Sequence, residues 1–251
     1  MFGKRKVATL VAEFLGTGLL TLLVLSVQRS TIGVPFFVAL AAGLALALVM
    51  FVLGNYGTGY FNPAVTLGLW TARRMQTVQA VLLIAVQFLG AWAAYMLYTF
   101  FVNSHLQPVG GKYVAHTLVA EIVGTTILSL AVAASALRAQ TAAATAGFVG
   151  LAYTVGIIAA SPASIGLLNP AVALGTRAWV LGTYVLGPVL GGLIGVNLYT
   201  MLLDDKSEVV AVSTTTTKVV KTPATKTSGA KATKVTATKT KTVKRKTASR
   251  K

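Results

Sequence analysis

The chain has 251 residues, 55% of them hydrophobic and only 11% charged, with a mean hydropathy of +0.75. A soluble domain carries about a quarter charged residues, so the composition excludes an ordinary water-soluble globular protein. The net charge of +17 is divided unevenly, +5 over residues 1–205 and +12 over residues 206–251, so an apolar body precedes a basic tail.

The first apolar run covers roughly residues 7–27, after the basic opening MFGKRK. It has the look of a signal peptide. However, it lasts about 20 residues, enough to cross a bilayer, it carries Glu13, and it shows no small-x-small cleavage site, so it reads as a span. A second run follows at 34–53, and then the stretch FNPAVTLGL from Phe61 to Leu69. The third run is 78–102. Both histidines, His105 and His116, fall in the connection after it, and with no cysteine in the chain neither a metal site nor a cofactor is expected. The fourth and fifth runs are 117–137 and 142–160, the stretch LNPAVALGT runs from Leu168 to Thr176, and the sixth run is 180–203. Helical periodicity is weak in all six, as it is for helices surrounded by lipid and other helices. From Ser207 the chain turns to Thr, Lys, Ala and Val, a composition that buries no core and is expected to be disordered. The domains are therefore a membrane body, 1–205, and a basic tail, 206–251.

The body repeats itself. AEFLGTGLL (Ala12–Leu20) answers AEIVGTTIL (Ala120–Leu128), and FNPAV answers LNPAV. Glu13 and Glu121 stand 108 residues apart, and Asn62 and Asn169 stand 107 apart, which marks a duplication with halves at about 5–105 and 112–205. Three spans per half turn the second half over, giving an inverted repeat with its site near the midplane. The positive-inside rule puts Lys4, Arg5, Lys6, Arg73, Arg74, Arg138 and both termini in the cytoplasm, with Arg29, Lys112 and Arg177 outside.

Asn-Pro is a good way to open a helix, because Asn caps it and Pro at the first position has no N–H to leave unpaired. The segments 63–72 and 170–179 are about ten residues each, about 15 Å at 1.5 Å per residue and so half a bilayer. The reading is of two re-entrant half-helices that meet N-terminus to N-terminus, with Asn62, Pro63 and Ala64 facing Asn169, Pro170 and Ala171. Two positive dipole ends and two amide donors suit a neutral hydrogen-bonding solute and repel a cation. Glu13 and Glu121, the only acids within spans, are expected to face the interior and accept from the irregular backbone that leads into each half-helix, as structural anchors.

Together with QFLGAWAA (Gln87–Ala94), GLAYTVG (Gly150–Gly156) and GPVLGGLIG (Gly187–Gly195), these motifs make residues 5–203 resemble the aquaporin or major intrinsic protein family. The resemblance implies an all-α membrane protein of six transmembrane helices and two half-helices, one pore per subunit, and a homotetramer. It also implies close helix approach at Gly16, Gly90, Gly124, Gly147, Gly187 and Gly191. The family's selectivity filter maps onto Ala42, Ile157, Gly166 and Val172. A water-selective member would show Phe, His, a small residue and Arg there, and a glycerol facilitator would keep the Arg. The filter is therefore expected to be wide, apolar and uncharged. Arg177, five residues beyond Val172, is expected at the outer end of the half-helix rather than in the filter.

The function so read is a passive channel for water or small neutral solutes of the glycerol, urea and ammonia class, with ions excluded at the paired Asn-Pro-Ala junction. The alternative is a non-conducting or gated scaffold that presents its basic tail to anionic lipid or, without sequence preference, to nucleic acid. The missing filter arginine also admits an ion leak. No nucleophile–base pair, phosphate loop or metal cluster points to an enzyme.

Overall fold

The structure is a computed structural model that describes residues 3–138 and 140–203; the expected disorder of the tail lies outside the described residues. Among the described residues, six helices are long and apolar enough to cross a membrane. In chain order the helices are α1 (Lys4–Gln28), α2 (Pro35–Leu53), the short α3 (Pro63–Thr71), α4 (Thr77–Val102), α5 (Ala115–Leu137), α6 (Ala142–Ala160), the short α7 (Pro170–Gly175) and α8 (Leu186–Leu198). Two π-helical turns, Leu181–Val185 and Tyr199–Leu203, extend α8 at both ends to the length of a span. His116 falls in the first turn of α5 rather than in the connection, because the helix starts at Ala115, earlier than the apolar run.

The duplication is visible in the packing. α1 packs along α4 as α5 packs along α8, α1 meets α2 as α5 meets α6, and α2 and α6 cross each other between the halves. Each half-helix lies against the last span of the other half, α3 against α8 and α7 against α4. Large apolar side chains such as Leu44, Leu48, Phe51, Phe100 and Leu151 point outward and are exposed, the reverse of a soluble protein and suited to lipid. The interior instead holds small residues and buried polar groups, among them Glu13, Glu121, Gln87, Asn62 and Asn169. Of the glycines expected at helix contacts, Gly147 stands apart: a side chain there would meet nothing within 4 Å, while Gly90 lies against the Phe14 carbonyl and Gly191 against that of Ile122.

The half-helices differ in length. α3 has nine residues, about 13 Å, close to the expected segment, but α7 has six, about 9 Å, and ends before the expected residue 179. The reason lies in its C-terminal turn. Arg177 adopts a left-handed conformation (φ 64°), and its N–H donates to the Leu174 carbonyl while that of Ala178 donates to Ala173, a Schellman closure. α3 ends in the same way, with Arg73 (φ 57°) donating to Trp70 and Arg74 to Leu69.

Candidate pore and its midplane site

Each half-helix opens as its Asn-Pro pair dictates. Asn62 and Asn169 are extended caps whose side-chain carbonyls accept from the N–H of Ala64 (2.9 Å) and Ala171 (3.0 Å), and Pro63 and Pro170 occupy the first helical position. The amide ends of the same side chains cross between the halves. Asn62 Nδ2 donates to the Leu168 carbonyl at 2.9 Å, and Asn169 Nδ2 donates to the Phe61 carbonyl at 2.8 Å. One hydrogen of each amide is thus used across the junction and one remains. From the sequence, these amides were expected only to face the lumen; they also brace one repeat against the other.

The residues that receive these bonds are strained. Phe61 (φ 48°) and Leu168 (φ 52°) lie in the left-handed region, which is unusual for large side chains. Such strain costs about 1–3 kcal/mol per residue and persists only where the surroundings over-determine it. The buried acids supply that determination. Glu13 accepts from the N–H of Tyr60 (2.9 Å) and Phe61 (2.8 Å), from the Thr58 hydroxyl (2.6 Å) and from Gln87 Nε2 (2.8 Å). Glu121 accepts from the N–H of Leu167 (3.0 Å) and Leu168 (2.8 Å) and from the Ser164 hydroxyl. The repeated Glu-x-x-Gly then has a physical reading, because positions i and i+3 share one helix face. The glutamate holds the strained backbone, and the glycine below it makes room for the strained side chain. A Cβ on Gly16 would lie 2.2 Å from the Phe61 ring, and one on Gly124 would lie 2.5 Å from a Leu168 methyl.

The Asn pair opens onto a small cavity lined also by Leu20, Leu46, Tyr60, Val65, Leu128 and Tyr153. Only about 10 Å³ of it is open to the centre of a water molecule, room for about one water. A wider cavity of about 200 Å³, on the face of Arg74 and Leu137, shares Tyr60 with it.

Of the filter positions, Ile157 and Gly166 touch, and Ala42, Ile157 and Val172 belong to one buried apolar cluster. These three side chains are each 1% exposed or less, closed to a water-sized sphere. All three are aliphatic and uncharged. The φ of +67° at Gly166 is a glycine conformation, and a Cβ there would lie 2.8 Å from Ile157 Cγ2. Arg177 is turned to Tyr95, with its guanidinium 5.9 Å from the ring centroid and 3.4 Å from the hydroxyl. Arg29, at the end of α1, donates to the carbonyls of Gln107 (2.8 Å) and Thr176 (3.3 Å), so the C-terminal end of α7 receives a cation from another helix. Sequence reasoning did not find Arg29 in this role, nor Gln87, Thr58 and Ser164 as partners of the acids. A polar Gln87 in the middle of an apolar span was the one available signal.

Residues 4–199 match the family model described as "Major intrinsic protein". The chain belongs to the major intrinsic protein family. Among its relatives, Aquaporin Z of Photorhabdus laumondii is 29% identical over 78% of this chain and 98% of its own length. Aquaporin AqpM of Methanothermobacter thermautotrophicus is 30% identical over 67% of this chain and 77% of its own. The probable aquaporin TIP3-2 of Oryza sativa is 31% identical over 72% of each. An aquaglyceroporin structure from Plasmodium falciparum has the same fold, with a TM-score of 0.66 at 20% identity, covering 79% of this chain and 97% of that one. This member of the family is thus an integral, multi-pass membrane channel of the water and small-solute class, not an enzyme.

Proposed function

We propose that the protein conducts water and small neutral solutes passively and excludes ions mainly at the junction of Asn62 and Asn169. The observation that carries this reading is the reciprocal bracing of the two half-helix N-termini around a cavity of about one water. Two positive dipole ends and the remaining amide hydrogens favour a neutral molecule with lone pairs over a cation. In this reading Glu13 and Glu121 are structural anchors, and Ala42, Ile157, Gly166 and Val172 form an outer aliphatic constriction. The subunits assemble as a homotetramer with both termini in the cytoplasm, as the resemblance and the placement of Lys4, Arg5, Lys6, Arg73, Arg74 and Arg138 support. The basic tail is a partner for anionic lipid at that face.

The test is stopped-flow light scattering on vesicles reconstituted with the full chain, with sucrose and then glycerol as osmolyte. Fast shrinkage in sucrose supports the reading, and reswelling in glycerol adds small polyols to the permeants. Rates equal to those of empty vesicles would favour the second reading, a closed or non-conducting scaffold. The burial of the filter side chains is the specific observation on that side.

A further inference from the structure

Tyr153 lies within the quoted stretch GLAYTVG and lines the small cavity at the junction of the half-helices. It lies on α6, one turn before Ile157, and only 1% of it is exposed. It lines the same cavity as Asn62 and Asn169, and its hydroxyl donates to the Leu167 carbonyl at 2.8 Å. Leu167 stands two residues before Asn169, in the loop whose N–H groups are turned to Glu121. With the N–H groups pointing back to the acid and the Leu168 carbonyl taken by Asn62, the remaining carbonyls are the groups left to serve a passing molecule. Tyr153 takes one of them.

The fold does not require a tyrosine here. The residue 107 positions earlier is Leu46, which lines the same cavity from α2. The first half builds the equivalent loop, with the same strained residue and the same acid, beside a side chain that donates no hydrogen bond. The tyrosine is thus an addition to one side of an otherwise symmetric site.

We propose that Tyr153 is the size-selecting constriction of this pore. Its ring fills the lumen beside the Asn pair, and its hydroxyl stands where a permeant's hydroxyl or amide hydrogen would bind. Passage requires the ring to swing aside and the permeant to donate to the Leu167 carbonyl in its place. The permeants are then small neutral hydrogen-bond donors. A larger solute is stopped at Tyr153 rather than at the arginine-less outer ring. This proposal rests on the channel reading.

The experiment compares water and glycerol permeability of vesicles carrying the full-length wild type, Tyr153→Phe and Tyr153→Leu, with monodispersity in detergent as the control for folding. Tyr153→Phe keeps the ring and frees the carbonyl, so water permeability rises about two- to tenfold, the factor one net hydrogen bond represents, while glycerol stays excluded. Tyr153→Leu copies the first half and admits glycerol as well. This split by solute size is not what a purely structural role produces, and Tyr153→Phe gives a reading even if the leucine variant fails to fold. A conducting wild type with both variants unchanged overturns the constriction and leaves the channel reading standing. No permeability in any of the three overturns both.

Discussion

Replacing Glu13 with alanine removes the acceptor for four donors at once, and the size of the effect follows from what they become. The N–H groups of Tyr60 and Phe61 sit 2.9 and 2.8 Å from the carboxylate, and Glu13 itself is fully buried. Each loses its partner, at about 1–3 kcal/mol per unsatisfied donor. The Thr58 hydroxyl can rotate, and Gln87 retains Thr66 at 3.1 Å, so these two contribute less. The left-handed Phe61 also loses the bond that holds its N–H. Glu13→Ala is therefore expected to cost about 2–6 kcal/mol, dominated by the two backbone donors. Glu121→Ala should fall in the same range, because Leu167 and Leu168 are held in the same way. The assay is denaturant unfolding of the detergent-solubilised protein followed by tryptophan fluorescence. A loss below about 1 kcal/mol in both variants would refute the reasoning, since a single unsatisfied buried donor already costs that much.

Three further outcomes follow. Asn62→Asp with Asn169→Asp keeps each cap acceptor, removes both crossing donors and adds negative charge at the junction, so cation conductance in voltage-clamped bilayers should rise; unchanged conductance would place the cation barrier elsewhere. Gly166→Ala combines a φ of +67° with a contact of 2.8 Å to Ile157 Cγ2, and a loss of about 1–3 kcal/mol is expected; a neutral variant in thermal melts would contradict the tight fit. Arg73→Gly replaces an exposed arginine at a φ of 57° by the residue preferred after a helix end, so it should raise stability by up to about 1 kcal/mol; a loss of stability would show that the arginine side chain contributes more than its backbone conformation costs.

The membrane architecture was legible because lipid leaves little choice: long apolar runs become spans, and a duplication with three spans per half becomes an inverted pair. The Asn-Pro pairs were legible as helix starts for the same local reasons that apply in water. What the sequence did not disclose depends on groups far apart in the chain. The bonds from Asn62 to Leu168 and from Asn169 to Phe61 join residues 106 and 108 positions apart, and no local pattern announces a carbonyl acceptor. The end of α7 was missed because the chain closes on an arginine, Arg177, where glycine is the usual signal. Small and aliphatic residues at Ala42, Ile157, Gly166 and Val172 suggest a wide filter. Residue types alone do not say how neighbours fill the space, as where Ile157 lies against Gly166.

The crossing of the two asparagines has a consequence for how the chain enters the bilayer. When the first three spans have emerged, the Phe61 carbonyl has no Asn169 to meet and the Asn62 amide has no Leu168 carbonyl. Burying that loop at the depth of the hydrocarbon would then leave polar groups unpaired where no water can serve them. The first re-entrant loop therefore has reason to wait near the aqueous face until the second arrives. Neither half of the duplicated chain can complete these bonds alone.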